Sequence, residues 1–255
     1  MDGRFSAEFT VDYLGVDPNL YATFPRLMAY MQETSVRHTD STPHPMRWYL
    51  ENGFGFLLTN WHIKVRKYPY LNEKINIYTW PTMFKGILCE RYFEARSSDG
   101  GVIAAASSKW AFMDLNRRMA RKPSAELTDG YGGTFNADFI CDYNFAKDTD
   151  GYTKIKNETV KAARRDMDQN GHVNNIKYIE WIADLAPDDI YETQRIEEAK
   201  VAYRKECKKG QKVIIETYVK KRKNADDNAE ILNFIKTDGP PNETLLEAYF
   251  KYRVK

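Results

Sequence analysis

Three polar residues at two-residue spacing, Asp168, Asn170 and His172, stand just before a segment with helical periodicity. They belong to the stretch DMDQNGHVNNIKYIEW, which begins at Asp166. If the segment before the helix is extended, side chains alternate and these three share one side. A carboxylate, an amide and an imidazole would then meet at a helix N-terminus, where free N–H groups can polarise a carbonyl oxygen. This combination predicts acyl-transfer chemistry.

The alternative interpretation is helix capping, because Asp and Asn commonly stand at the first residues of helices. Capping does not require so many polar residues in succession, so the full stretch favours a functional site. Gly171 supports this interpretation, since glycine lets the backbone pass closely or adopt a positive φ. The other histidines, His38, His44 and His62, lack metal-ligand spacing, and no glycine-rich phosphate loop is present. We therefore expect neither a metal nor a cofactor.

Two similar series of elements must position these residues. The first half predicts a helix that begins near Pro25, followed by strand-like runs, two of which are joined by the turn sequence SSDGG. A stretch rich in Gly, Asp and Asn, 131–150, then reads as a linker. The second half predicts a helix after the polar motif and four more strand-like runs. The apolar residues of that helix share one face: Ile176, Ile179, Ala183 and Ala186.

The two halves can be aligned with each other. The segment from Ile63 matches the segment from Val201, which places Arg66 on Arg204. Upstream, the segment from Asp17 matches the one from Asp166. Two matches in the same order indicate a duplicated unit of one helix and one antiparallel sheet. We predict an α+β, tandem (double) hot-dog chain with an N-terminal domain, 1–130, the linker, 131–150, and a C-terminal domain, 151–255.

Composition limits the cellular context and the partners. The 255 residues carry a formal charge of +2, whereas a dedicated nucleic-acid-binding protein is usually more basic. Three scattered cysteines, the lack of a secretory signal and the lack of a long apolar run predict a soluble, cytoplasmic protein without a membrane span. Hot-dog proteins usually form dimers, and the duplicated chain would supply that pair internally. We also expect that the chain could form a homodimer.

The stretch DMDQNGHVNNIKYIEWI resembles the active-site segment of acyl-acyl carrier protein thioesterases. The later block YRKEC is similar to a second block of that family, and the order of elements also fits. The resemblance implies functional positions at Asp168, Asn170, His172, Glu206 and Cys207. It implies hydrolysis of fatty acyl-acyl carrier protein, which releases a free fatty acid and ends chain elongation. The chain lacks the transit extension of the plant members, which suggests a bacterial relative.

Two mechanisms fit these five residues. In one, Asp168 or Glu206 activates water while His172 assists proton transfer; in the other, Cys207 is a nucleophile with the histidine as its base. In a regular strand Glu206 and Cys207 point to opposite faces, so both cannot serve one site without a bulge. A free cysteine is commonly a packing residue. We favour water activated by a carboxylate.

The same resemblance implies an acyl tunnel in the first half and an acidic carrier as partner. Candidate tunnel residues are Met28, Met31, Trp48, Phe54 and Phe56. Basic residues near Glu206 would steer the carrier to the tunnel mouth: Lys200, Arg204, Lys208, Lys209 and Lys212. Two alternatives stay open: an acyl-coenzyme A thioesterase of the same fold, and a non-catalytic acyl-binding or dehydratase-like protein.

Overall fold

The computed structural model describes residues 4–137, 139, 141–222, 224 and 227–255. The chain divides into two compact units, Met1–Asp142 (unit 1) and Tyr143–Lys255 (unit 2). Each unit combines helices with an antiparallel sheet, so the predicted α+β hot-dog architecture is confirmed. Within the described part of the chain, no helix is both long and apolar enough to cross a membrane.

Unit 1 packs a long helix against a twisted antiparallel sheet. Its helices are Phe24–Asp40 (α1), Met46–Asn52 (α2) and Ala125–Asp129 (α3). Its strands are Phe5–Thr10 (β1), Phe54–Val65 (β2), Lys74–Lys85 (β3), Leu88–Ser97 (β4), Val102–Asp114 (β5) and Met119–Ala120 (β6). The first five strands follow the order β1-β3-β4-β5-β2, and β6 pairs with β5.

The start of α1 follows from its first residues. The Thr23 hydroxyl accepts a hydrogen bond from the Arg26 N–H, and Pro25 lies in the first turn, where its missing N–H costs nothing. The sequence prediction of this start is confirmed. The buried face of the helix packs against β1 and β3, and it includes Leu27, Met28, Tyr30 and Met31.

Unit 2 repeats this plan with a shorter helix. Its helices are Asn175–Ala183 (α4) and Asp188–Thr193 (α5), and its strands are Tyr152–Lys161 (β7), Gln194–Tyr203 (β8), Lys212–Lys220 (β9), Glu230–Thr237 (β10) and Thr244–Val254 (β11). The sheet order is β8-β11-β10-β9-β7. The buried face of α4 comprises Ile176, Tyr178, Ile179 and Ile182. Ala186, predicted on this face, lies beyond the helix end.

Backbone hydrogen bonds fix how the two units correspond. The Arg66 N–H bonds to the Ile103 carbonyl oxygen (2.7 Å), and the Arg204 N–H bonds to that of Leu245 (2.8 Å). These matching bonds confirm the downstream alignment of the two halves.

The upstream alignment is wrong by two residues. Thr23 caps α1 and Asn174 caps α4, so Asp17 corresponds to Asp168 and not to Asp166. Apolar side chains recur every three or four residues along both helices, so several of them still overlay after a two-residue shift. The caps, rather than the apolar pattern, establish the register.

Candidate active site

The segment from Asp168 to His172 is a closed turn, so the predicted extended segment is wrong. The Asp168 N–H bonds to the His172 carbonyl oxygen (2.7 Å), and the Gly171 N–H bonds to the Asp168 carbonyl oxygen (3.1 Å). The Asp168 Oδ1 accepts hydrogen bonds from the backbone N–H groups of Asn170 (2.8 Å) and His172 (3.1 Å). The turn brings Asp168 and His172 together, and the aspartate holds the backbone that carries the imidazole.

Unit 1 contains the same turn without the histidine. The Asp17 Oδ1 accepts hydrogen bonds from the N–H groups of Asn19 (2.9 Å) and Tyr21 (3.0 Å). Leu20 has a φ of 63° where Gly171 has a φ of 75°, so the left-handed position is kept as well. An aspartate in this turn therefore has a structural role that does not depend on catalysis.

The side chains of His172 and Glu206 meet directly. His172 forms an isolated bridge with Lys208, and the Val173 N–H bonds to the Cys207 carbonyl oxygen (2.8 Å), which aligns the two segments. The His172 Nε2 then lies 3.1 Å from the Glu206 Oε2. The side chains are 24% and 50% exposed, so water and substrate can reach this pair. The position that corresponds to Glu206 in unit 1 holds the buried Tyr68.

Cys207 points away from this pair. Its side chain is fully buried, and its Sγ approaches the Lys208 carbonyl oxygen at 3.7 Å. Burial, followed by the nearby Asp166 carboxylate, raises the pKa of the Cys207 thiol to about 11. Little thiolate exists near neutral pH, and the thiolate is the reactive form. Glu206 is exposed and Cys207 is buried, although β8 ends at Tyr203 and the regular strand assumed in the sequence analysis does not reach either residue.

One backbone N–H group at the start of α4 has no acceptor among the described residues. Asn174 caps the helix: its Oδ1 accepts a hydrogen bond from the Ile176 N–H (2.9 Å), and its carbonyl oxygen accepts one from the Lys177 N–H (2.9 Å). Among the described residues, the Asn175 N–H has no acceptor. The side-chain amide of Asn170, at an exposed position, also has no hydrogen-bond partner among the described residues. Two donors are thus available close to His172 in sequence.

Tyr178 is a site neighbour that sequence reasoning missed. It lies on the buried face of α4, and its hydroxyl has no hydrogen-bond partner in the described structure. Burial and the neighbouring Cys207 raise its pKa. Its ring packs edge-on against Tyr203, whose hydroxyl donates to the Asn175 carbonyl oxygen (3.0 Å). The helical period could have predicted this position, because Tyr178 lies about one turn after Asn174 and so on the same side of the helix.

Ion pairing separates the basic residues near Glu206 into two groups. Arg204 pairs with Glu247 (2.8 Å), Lys205 pairs with Glu243, and the Lys200 ammonium donates to the Asn144 carbonyl oxygen (2.8 Å). Three residues of the predicted set are exposed and form no ion pair with any described residue: Lys208, Lys209 and Lys212. The same holds for two exposed arginines, Arg164 and Arg165, and we call these five residues the free basic cluster. The two arginines precede the motif directly, a signal that the sequence analysis did not use.

No group of three His, Cys, Asp or Glu side chains close enough to hold a metal ion occurs among the residues described. The site instead presents an exposed carboxylate and an imidazole in contact. A turn held by Asp168 positions the imidazole, and free N–H donors follow it.

Two family models match almost the whole chain. The model described as the acyl-ACP thioesterase N-terminal domain matches residues 2–131, and that of the C-terminal domain matches residues 149–244. The palmitoyl-acyl carrier protein thioesterase of Arabidopsis thaliana is 27% identical over 223 residues, which cover 80% of this chain and 52% of that protein. An oleoyl-acyl carrier protein thioesterase from the same plant is 26% identical and is covered to 60%. The chain thus spans a little over half the length of these relatives.

Solved structures show the same fold over the full chain. A 12:0-ACP thioesterase from Umbellularia californica superposes with a TM-score of 0.85 at 20% identity, covering 99% of this chain and 95% of that one. An acyl-ACP thioesterase from Bacteroides thetaiotaomicron gives 0.83 at 23% identity, with 98% of both chains covered.

Proposed function

Because the chain belongs to the acyl-acyl carrier protein thioesterase family, we propose that it hydrolyses the thioester between a fatty acyl chain and acyl carrier protein. The observation that carries the proposal is the 3.1 Å contact between His172 and the exposed Glu206. A carboxylate and an imidazole in contact can accept a proton from water and pass it on. The products are a free fatty acid and the thiol of the carrier's pantetheine arm.

The reaction forms a carbon–oxygen bond, breaks the carbon–sulfur bond and moves one proton from water to the leaving sulfur. Glu206 accepts a proton from water as the water oxygen attacks the thioester carbonyl carbon. The oxyanion of the tetrahedral intermediate takes hydrogen bonds from the Asn175 N–H and the Asn170 amide. The carbon–sulfur bond then breaks, and His172 transfers the proton from Glu206 to the departing sulfur. The water, the proton and the leaving thiol are then all accounted for.

Asp168 and Cys207 receive supporting roles in this proposal. Asp168 is a positioning residue, because its Oδ1 already holds two backbone N–H groups, one of them that of His172. Cys207 is a packing residue, because it is fully buried and the pKa of its thiol is raised.

We assign the acyl chain to unit 1 as part of the same proposal. Met28 and Met31 are fully buried there, while Trp48, Phe54 and Phe56 are half-buried and pack against an apolar cluster. The proposed division is an acyl-binding domain, 1–130, a linker, 131–150, and a catalytic domain, 151–255. A homodimer and a cytoplasmic location stay predictions, which light scattering in solution and cell fractionation test.

Hydrolysis assays on the Glu206→Gln variant test the function. We use one acyl chain on three carriers: acyl carrier protein, coenzyme A and free pantetheine. The proposal expects the unaltered protein to prefer the carrier protein, and expects the variant to lose about 100- to 10,000-fold in kcat on all three. Glu158→Gln, at an exposed position of β7, is the matched control and leaves kcat unchanged.

Each alternative has its own outcome in this assay. A preference for coenzyme A would support the acyl-coenzyme A thioesterase. No hydrolysis of any substrate by the unaltered protein would support the non-catalytic acyl-binding protein. Full activity of Glu206→Gln would show that Glu206 is not the base.

A further inference from the structure

A buried arginine lies in unit 1 on β4. Arg91 is 6% exposed, and its Nη1 donates to the His38 Nδ1 (2.9 Å) and to the Thr79 Oγ1 (3.2 Å). Its guanidinium carbon lies 5.3 Å from the centre of the Tyr131 ring. These neighbours are neutral, so they solvate the guanidinium without cancelling its charge.

No described carboxylate forms an ion pair with Arg91. An arginine does not lose its proton inside proteins, and a buried charge is costly unless an opposite charge compensates for it. The ring of Tyr131 contributes less than a carboxylate would. Among the described residues, the arrangement therefore lacks an anion.

The fold itself does not require a charge at this position. Thr79 of β3 corresponds to Thr217 of β9, by the alignment that places Arg66 on Arg204. Two residues further along, Pro81 lies opposite Arg91 in unit 1, and Val219 lies opposite Ile231 in unit 2. Ile231 is 1% exposed, so the second copy of the fold buries an aliphatic side chain there. The arginine serves something specific to unit 1.

The surroundings of Arg91 hold further donors. Burial, and then the charge of Arg91, lowers the pKa of His38 to about 3, so the imidazole is neutral. Since its Nδ1 accepts from Arg91, its proton is on Nε2. The Tyr49 hydroxyl, on a side chain 2% exposed, has no partner among the described residues. Burial, and then the neighbouring Tyr131 and Cys89, raise the pKa of Tyr49, and the nearby charge of Arg91 lowers it.

Tyr49 also belongs to an apolar cluster, which joins the polar groups to hydrocarbon surface. The cluster contains Phe112 and Leu127, both buried. Half-buried aromatic side chains extend it: Trp48, Phe54 and Phe56. The Tyr49 ring lies 5.9 Å from that of Phe56. The Tyr49 hydroxyl, which has no partner among the described residues, thus lies beside a row of aromatic rings, and Tyr131 neighbours both Tyr49 and the Arg91 guanidinium.

We propose that Arg91 and Tyr49 bind the carboxylate of a free fatty acid in unit 1, with the hydrocarbon chain along the cluster of Phe112, Phe54 and Phe56. A carboxylate supplies the missing negative charge and accepts from both the guanidinium and the hydroxyl. His38 fixes the guanidinium through its Nδ1. The ligand class rests on the proposed function, whose product is a fatty acid. Because the acyl chain of the substrate is assigned to the same aromatic residues, the bound fatty acid competes with it.

Calorimetric titration of the intact chain tests the site directly. The probes are dodecanoate and hexadecanoate, each compared with the fatty alcohol of the same length. We expect the acids to bind about 10- to 100-fold more tightly than the alcohols, the ratio for a hydrogen-bonded charged group. Equal affinities for acid and alcohol would mean that only the hydrocarbon is recognised, and would overturn the proposal.

Three variants separate binding from folding. Tyr49→Phe removes a hydroxyl that has no hydrogen-bond partner among the described residues, so it should leave thermal unfolding unchanged and weaken only the binding of the acids. Arg91→Ile introduces the side chain that unit 2 holds at the matching position and should abolish the preference for acids. Arg91→Lys keeps the charge and should retain part of that preference.

Hydrolysis measured in parallel distinguishes this proposal from the proposed function. Arg91→Ile should keep the kcat of the unaltered protein and lose inhibition by added fatty acid. If the protein hydrolyses none of the substrates but still binds acids through Arg91, the binding site is supported and the proposed thioesterase activity is contradicted. Acid binding that survives both Tyr49→Phe and Arg91→Ile would refute the site.

Discussion

The Cys207 thiol illustrates how burial decides chemistry at a single residue. A cysteine nucleophile needs a thiolate, and thiolates form where a cation or a helix N-terminus lowers the pKa. Here burial and a nearby carboxylate raise that pKa to about 11. The Glu206 carboxylate, in contact with His172, is half exposed, so water can reach it.

Replacing Cys207 by alanine tests this assignment. We expect Cys207→Ala to keep most of its kcat and to lose about 1 kcal/mol of unfolding free energy, because a buried packing atom is removed. Thioester hydrolysis and urea unfolding measure the two effects. Cys89→Ala, which also removes a buried thiol, provides the comparison in unit 1. Mass spectrometry that finds an acyl group on Cys207 during turnover would contradict the water mechanism.

Sequence alone proposed candidate residue types but not their contacts. The family resemblance pointed to both Glu206 and Cys207, and strand alternation separated them, although β8 ends at Tyr203, before both residues. Which of the two faces solvent depends on packing by the rest of unit 2. Arg91 gave no signal, because an arginine within a strand is ordinarily exposed and only the folded sheet buries it.

At the level of elements, one turn recurs in both units. Asp17 and Asp168 accept equivalent pairs of backbone N–H groups, although only the second turn carries a histidine. Sequence analysis expected an extended segment because alternation placed three polar side chains together. An aspartate that bonds the backbone two residues ahead instead favours a turn, and here that local preference prevailed.

The two aspartates form a matched pair for mutation. We expect Asp168→Ala and Asp17→Ala each to cost about 1 kcal/mol of unfolding free energy, since each removes an acceptor of two backbone N–H groups. Only Asp168→Ala should lower kcat, by about 100-fold, because the turn then no longer fixes His172. Urea unfolding and steady-state hydrolysis measure these effects.

Asp168→Asn separates position from charge in the same turn. Its amide oxygen can still accept from the backbone, so the turn is kept and we expect more activity than in Asp168→Ala. If the asparagine variant is as inactive as the alanine variant, the carboxylate charge takes part in the chemistry and the positioning role is insufficient.

For the whole molecule, net charge conceals a local imbalance. The chain carries only +2, yet the free basic cluster has no described acidic partner. Sequence analysis chose five basic residues by proximity to Glu206, but Arg204 forms an ion pair with Glu247, a carboxylate far away in sequence. Such pairing depends on strand register, which sequence composition does not reveal.

Charge reversal tests whether this cluster meets the acidic carrier. We expect Lys208→Glu with Lys209→Glu to raise the apparent KM for acyl carrier protein and to leave kcat nearly unchanged, since exposed charges act mainly on association rate. Added salt should shrink the difference, because screening at physiological ionic strength acts over about 8 Å.

Two controls accompany this measurement. Lys85→Glu with Lys122→Glu makes the same change in net charge at exposed positions of unit 1 and should not alter KM. Acyl-pantetheine has no acidic surface and should be hydrolysed as before. Equal losses on the carrier-bound and the free substrate would show that the cluster is an ordinary solvated surface.

Unit 1 offers an internal comparison for the site of unit 2. Its turn keeps the aspartate, the asparagine and the residue with a positive φ. Tyr21 stands in place of the histidine, and Tyr68, outside the turn, stands in place of the glutamate. The shared Asp-x-Asn turn therefore indicates common ancestry of the two units, whereas the proposed activity also needs the His–Glu contact. We expect a relative that retains both turns but has lost either member of that contact to keep the fold and to lack the proposed activity.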